Sequence, residues 1–326
     1  MTTLKDHFKD NFLIGAAVSK YTLDQDQDLL KKHFNSITAE NEMKPEQLQP
    51  KPGEFNFEIS DKMMKFAEDN GMELRGHTLV WHNQMPEWFF TDEDGNDVSR
   101  DELLKRMKDH IDAVVTRYKG RIHAWDVVNE AVEDRGDEML RSSKWIDIIG
   151  EDFIDYAFKY AHEADPDALL FYNDYNESHP NKRKKIYKLV KGLLDRGVPI
   201  HGVGLQAHWN LYDPSYENIE EALKSYSELG LQMHVTEMDV SMFEFGDERT
   251  DVKEPTKEML HLQAERYERF FDLFRKYQEH LTSVTFWGIS DAYTWLNDFP
   301  VRGRKNWPFV LDEKGEPKPA FDRITK

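Results

Sequence analysis

His123-Ala124-Trp125-Asp126-Val127-Val128-Asn129-Glu130 and, more than a hundred residues later, Met233-His234-Val235-Thr236-Glu237-Met238-Asp239-Val240 each close an apolar run on a glutamate in polar company. Short apolar runs bounded by polar residues read as buried strands. With the quoted pair taken as His123 to Ala131 and Gln232 to Val240, six further runs share the pattern: Phe12 to Ser19, Ser36 to Glu42, Glu73 to Trp81, Ala168 to Tyr175, His201 to Trp209 and Ser283 to Asp291. Between them lie one-sided helical patterns, such as Leu104, Met107, Ile111, Val114, Val115 and Tyr118, or Tyr267, Phe270, Phe271 and Phe274. Several end on a glycine, at Gly71, Gly120, Gly197 and Gly230, as helix C-termini do. Parallel strands need long crossovers, usually helices, so eight strands alternating with helices predict an α/β fold, a (β/α)8 TIM barrel in a single domain over residues 1–326. An open doubly wound sheet usually carries a Gly-rich turn after its first strand; Phe12 to Ser19 has no G-x-G-x-x-G, and no Walker motif occurs.

Composition narrows the partners. A formal charge of -19 repels nucleic acid and anionic membrane, whose binding needs Lys and Arg against phosphate. With 39% hydrophobic, 13% aromatic and 32% charged residues, the chain suits a large water-facing fold. No run reaches the roughly 18 to 20 apolar residues of a membrane span, and the start lacks the apolar core of a secretion signal. Zero cysteines exclude disulfides and thiolate metal sites and suit a reducing cytoplasm, the expected location. The basic run Lys182-Arg183-Lys184-Lys185 opens a helix with Ile186, Leu189, Val190, Leu193 and Leu194 on one stripe, and is expected to be a solvated face.

In barrels of this class the chemistry sits at the carboxyl ends of the strands, and that is where the polar residues collect. Strand two ends in Asn41 and Glu42 with Lys44, strand three in His77, Trp81 and His82, strand four in Asn129 and Glu130. Strand five ends in Tyr172, strand six in Gln206 and His208, strand seven in Glu237 and Asp239, strand eight in Trp287 with Trp295 beyond. Two carboxylates at one rim suit glycosidic bond cleavage, in which one carboxyl group protonates the leaving oxygen and the other attacks or activates water. A metal held by His77, His82 and His208 with Asp239 or Glu237 is the weaker alternative, because H-E-x-x-H is missing and the histidines come from different strands. A serine nucleophile lacks its G-x-S-x-G turn. No cofactor and no metal are expected.

These residues resemble glycoside hydrolase family 10, whose main activity is endo-1,4-β-xylanase. The resemblance rests on Thr38-Ala39-Glu40-Asn41-Glu42-Met43-Lys44, Gly76-His77-Thr78-Leu79-Val80-Trp81-His82, Trp125 to Glu130, Gly204-Leu205-Gln206-Ala207-His208, Thr236 to Val240, and Trp287-Gly288-Ile289-Ser290-Asp291 with Trp295. It implies Glu130 as general acid and base and Glu237 as nucleophile of a retaining mechanism, with His208 on Glu237 and Asp239 orienting His208. It implies sugar contacts from Asn41, Glu42, Lys44, His77, Trp81, His82, Asn129 and Gln206, stacking by Trp287 and Trp295, and a contact from Tyr172 across the cleaved bond. Pro45 departs from the pattern, standing where many members carry an aromatic. The segments 241–251 and 301–307 are expected to shape the cleft. Family members without a leader or attached modules resemble cytoplasmic enzymes that trim imported xylo-oligosaccharides. A β-glucosidase or cellulase on the same barrel, and a sugar-binding barrel without activity, are the rival readings.

Overall fold

The computed structural model describes residues 2–326. Among them nine strands occur: β1 (Leu13–Val18), β2 (Ser36–Ala39), β3 (Glu73–Trp81), β4 (Ala124–Asn129), β5 (Leu169–Asp174), β6 (Gly202–Leu205), β7 (His208–Asn210), β8 (Gln232–Ser241) and β9 (Leu281–Phe286). Their order is β6-β5-β4-β3-β2-β1-β9-β8-β7, and β6 also pairs β8, so the sheet closes on itself. The registers of β1 with β9, β3 with β4, β4 with β5, β7 with β8 and β8 with β9 are all parallel. This is the (β/α)8 class that the alternation predicts, with β6 and β7 as two pieces of one stave. The break falls at Ala207, whose left-handed backbone (φ 56°) interrupts the ladder as a bulge does and re-aims the residues that follow.

Two compact units make up the chain. One runs to Ile37 and takes in Asn176–Pro180 and Leu205–Lys326; it holds β1, β7, β8 and β9. Its long helix, Lys257–Lys276, is capped by Thr256 and buries Tyr267, Phe270, Phe271 and Phe274, the stripe expected from the spacing. The last strand stops at Phe286, short of the expected Asp291; the chain turns at Gly288, where a Cβ would meet the Phe309 ring at 2.7 Å.

The other unit, Thr38–Tyr175 with Asn181–Gly204, holds β3, β4 and β5. Gly76 on β3 stands beside Trp125 on β4, and an added Cβ would lie 2.2 Å from the indole. Buried beneath is an ionic cluster in which Arg75 forms a two-pronged pair with Asp126 and His77 Nδ1 approaches the same carboxylate at 2.7 Å. Burial works against charge on Asp126, but Arg75 and His77 together outweigh it and hold its pKa below the ordinary value. The helix Arg100–Arg117 is capped by Ser99 and buries Leu103 where the pattern pointed to Leu104, followed by Met107, Ile111, Val114 and Val115. Pro45 opens the short helix Pro45–Leu48, a position that needs no backbone N–H.

The helix Pro180–Asp195 corrects one expectation. Lys182 and Lys185 are buried, not solvated. Lys182 lies on the same stripe as Ile186, Val190 and Leu193, and its ammonium pairs with Asp134 and, at 2.9 Å, with Asp174. Lys185 donates to the Glu133 carbonyl at 3.1 Å. No helix among the described residues is long and apolar enough to cross a membrane.

Candidate active site

In the unit carrying β3 to β5, the turn after β2 presents Lys44 with its ammonium 2.9 Å from both Asn41 Oδ1 and Gln84 Oε1, and 5.0 Å from the centre of the Trp81 ring. A nearly buried ammonium held between two amide oxygens keeps its charge fixed in place. Glu42 accepts the Asn41 N–H at 3.1 Å. At the end of β3 the Trp81 indole N–H donates to Glu130 Oε2 at 2.9 Å, and the Trp81 carbonyl is held by Trp145. His82 packs edge-on to Trp81 at the exposed rim. Glu130 itself has a left-handed backbone (φ 57°), a conformation that costs a side-chain-bearing residue free energy and recurs at functional sites. Its N–H bonds Asn173 O, while Asn173 Nδ2 donates to Asn129 Oδ1. A narrow recess beside Glu130 is lined by Trp81, His82, Asn129, Arg141 and Trp145.

Behind Glu130 lies a network that the sequence reading missed. Arg141 donates to the Glu130 carbonyl at 3.1 Å and to the Tyr175 hydroxyl at 2.7 Å; Tyr175 bonds Asp134, and Asp134 takes Lys182. Lys182 sits 3.8 Å from the centre of the Tyr175 ring. Burial disfavours charge on Asp134, yet Lys182, Tyr175 and Arg141 prevail and keep its pKa low. The signal was present: Lys182 falls on an apolar stripe where a lysine without a partner is not stable. Tyr172 belongs to this network and is corrected by it. The side chain is fully buried, donates to Asp174, and accepts the N–H groups of Ala131 and Val132 at 3.1 and 3.0 Å. It braces the chain after Glu130 and, fully buried, offers no face to a sugar.

In the unit carrying β7 to β9, His208 and Asp239 are register partners, and the His208 ring bridges two carboxylates: Nε2 lies 2.9 Å from Glu237 Oε2 and Nδ1 lies 3.0 Å from Asp239 Oδ1. A carboxylate accepts, so both nitrogens donate and the ring is an imidazolium. Burial resists that charge, but Asp239 and Glu237 overcome it and raise the His208 pKa well above its ordinary value. The second oxygen of Asp239 takes the Trp295 indole N–H at 2.8 Å. Trp295 and Trp287 both contact the His208 ring edge to face, with centroids 5.0 and 6.5 Å away. Glu237 and Gln206 are joined through their backbones at 3.1 Å, and both side chains are nearly buried. Among the described residues, no group of three His, Asp or Glu side chains is placed to hold a metal ion.

The model of glycosyl hydrolase family 10 matches residues 3–326. The chain belongs to glycoside hydrolase family 10. It is 57% identical over 322 residues to an endo-1,4-β-xylanase of Geobacillus stearothermophilus, covering 99% of this chain and 97% of that one. It is 54% identical to endo-1,4-β-xylanase B of Paenibacillus barcinonensis, with the same coverage. The solved structure of xylanase XynB from Paenibacillus barcinonensis, complexed with a conduramine derivative, superposes with a TM-score of 0.98 at 54% identity over 100% of this chain and 98% of that one. A solved relative in complex with xylotriose superposes equally well at 49% identity, over 100% of both chains. This family 10 chain is therefore a glycoside hydrolase.

Proposed function

We propose that the chain is a retaining endo-1,4-β-xylanase that cleaves internal β-1,4-xylosidic bonds of xylan and xylo-oligosaccharides. Glu237 is the nucleophile and Glu130 the general acid and base. The observation that carries this division is the imidazolium of His208 clamped between Glu237 and Asp239. A cation bonded to Glu237 keeps that carboxylate ionised and ready to attack an anomeric carbon.

In the first step Glu130 gives its proton to the departing glycosidic oxygen while Glu237 forms a bond to the anomeric carbon, producing a glycosyl-enzyme and a shortened chain. In the second, Glu130 takes a proton from water, the water oxygen displaces Glu237, and the configuration returns to that of the substrate. Such a mechanism needs the two carboxyl groups about 5 to 5.5 Å apart. The Trp81 N–H on Glu130 Oε2 fixes the orientation of that carboxyl group. Asn41, Glu42, Lys44, His77, His82, Asn129 and Gln206 supply the polar contacts to the sugars, and Trp287 and Trp295 the apolar ones. Pyranose rings present C–H faces that indole covers well.

Glu237→Ala is expected to lose turnover by several orders of magnitude and to regain activity with azide, giving a glycosyl azide of inverted configuration. An unaffected rate in that variant would remove the assignment. The same proposal places the enzyme in the cytoplasm as one catalytic domain over residues 1–326, acting on imported oligosaccharides. Its support is a cysteine-free sequence, suited to a reducing compartment. Recovery of the activity from the culture medium instead of the cell lysate would overturn that part.

A further inference from the structure

Two rim loops of the unit that carries Glu237 are locked together. Arg304, almost fully buried, donates to the carbonyls of Asp247 and Arg249, and its guanidinium lies 4.0 Å from the centre of the Phe243 ring. Asn306 accepts from the Met242 N–H at 3.0 Å, donates to Ser241 Oγ at 2.8 Å, and donates its backbone N–H to Asn297 Oδ1 at 2.9 Å. The loops that follow β8 and β9 are thus fastened by buried polar groups. On these fastened loops stand two bare phenyl rings, Phe245 at 72% exposure and Phe299 at 45%. Phe299 stacks on Trp295 with centroids 4.9 Å apart and planes 15° apart, and Phe245 follows at 6.0 Å from Phe299. The run begins at the indole that holds Asp239 and continues outward without a gap.

Other exposed aromatics on this unit are accounted for differently. They are Tyr21, Tyr212 and Tyr293; Tyr21 and Tyr293 meet edge to face and join their hydroxyls at 3.0 Å, and a tyrosine keeps its polar tip in water. Phenylalanine has no polar tip. A ring held in water by a braced loop forgoes burial that is regained only when something apolar covers it. The cover must be apolar on the face it presents and wet elsewhere, because the surroundings are open to solvent. A pyranose ring has that character.

We propose that Phe299 and Phe245 form a further sugar-binding site on the nucleophile's side, taking neutral β-1,4-linked pyranose units of the chain beyond those that Trp295 covers. The inference rests on the reading of Glu237 and Trp295 as the glycone-binding side. It makes the enzyme a discriminator of chain length, favouring substrates with more than two sugars before the cleaved bond.

The test compares the kcat/KM of an aryl β-xylobioside, which puts two sugars before the cleaved bond, with that of xylohexaose. Wild type, Phe245→Ala, Phe299→Ala, the double variant and the aromatic replacements Phe245→Tyr and Phe299→Tyr are measured on both. The hexaose-to-bioside ratio is expected to fall roughly three- to tenfold for each ring removed, mainly through KM, and to be restored by tyrosine. A ratio that stays at the wild-type value, or an equal loss on both substrates, overturns the distal site. Wild type that ignores both xylosides and cleaves the matching glucose compounds overturns the xylanase reading instead, and the two failures are told apart by the wild-type rates alone.

Discussion

At His208 the chemistry of the site and the stability of the fold meet in one proton. Both ring nitrogens donate to carboxylates, so the folded state holds the imidazolium more tightly than the unfolded chain, where histidine titrates near 6.5. A raised folded pKa gives stability that is complete below about pH 6.5 and is lost as pH climbs through the folded value. Thermal melts of wild type and His208→Asn between pH 6 and pH 9 are therefore expected to converge towards the alkaline end. A gap that widens with pH would contradict the charged bridge. Of these links, the pairing of residues 237 and 239 on one strand face follows from the period of two. The hold of Trp295 on Asp239 does not, because it joins residues 56 apart through a loop of no regular period.

Between elements, the close fits are made where one strand carries glycine and its neighbour a bulky side chain. A Cβ on Gly76 would lie 2.2 Å from Trp125, one on Gly202 2.1 Å from Phe171, and one on Gly15 2.6 Å from Thr285. Rings packed at interior density cannot retreat that far. Gly76→Ala is expected to cost about 1 to 3 kcal/mol or more in urea unfolding, with the largest loss where the ring is fully buried. An unchanged midpoint would mean that β3 and β4 separate easily. The strands themselves are written in local hydrophobicity, and β3 has the bounds expected from its apolar run, Glu73 to Trp81. The expected His201 to Trp209 strand is two pieces, because no residue pattern announces that Ala207 adopts a left-handed backbone. Lys182 and Tyr172 were misread for another reason. A lysine is polar by type and a tyrosine amphipathic by type, and only their partners Asp134 and Asp174 decide that both go inside.

Over the whole molecule the net charge of -19 sets the response to solvent. Like charge spread over a compact body opposes folding, and salt shortens its reach to about 10 Å at 0.1 M. Exposed pairs such as Lys65 with Asp69 and Lys105 with Asp109 contribute little that salt can remove. The melting temperature near pH 7 is therefore expected to rise from 10 mM to 300 mM sodium chloride, and a fall would show that attraction outweighs repulsion on this surface. The candidate site residues can be named from the sequence because they gather at strand ends in a closed order of staves, whereas the loops around them obey no period. Arg304 gives those loops a shared fate. Because a single guanidinium ties residues 247 and 249 to the stretch after Asn297, neither loop can be exchanged for a relative's version by itself. Anyone grafting a new rim onto this scaffold must move both pieces as one cassette, and lineages that reshape one are bound to have reshaped the other.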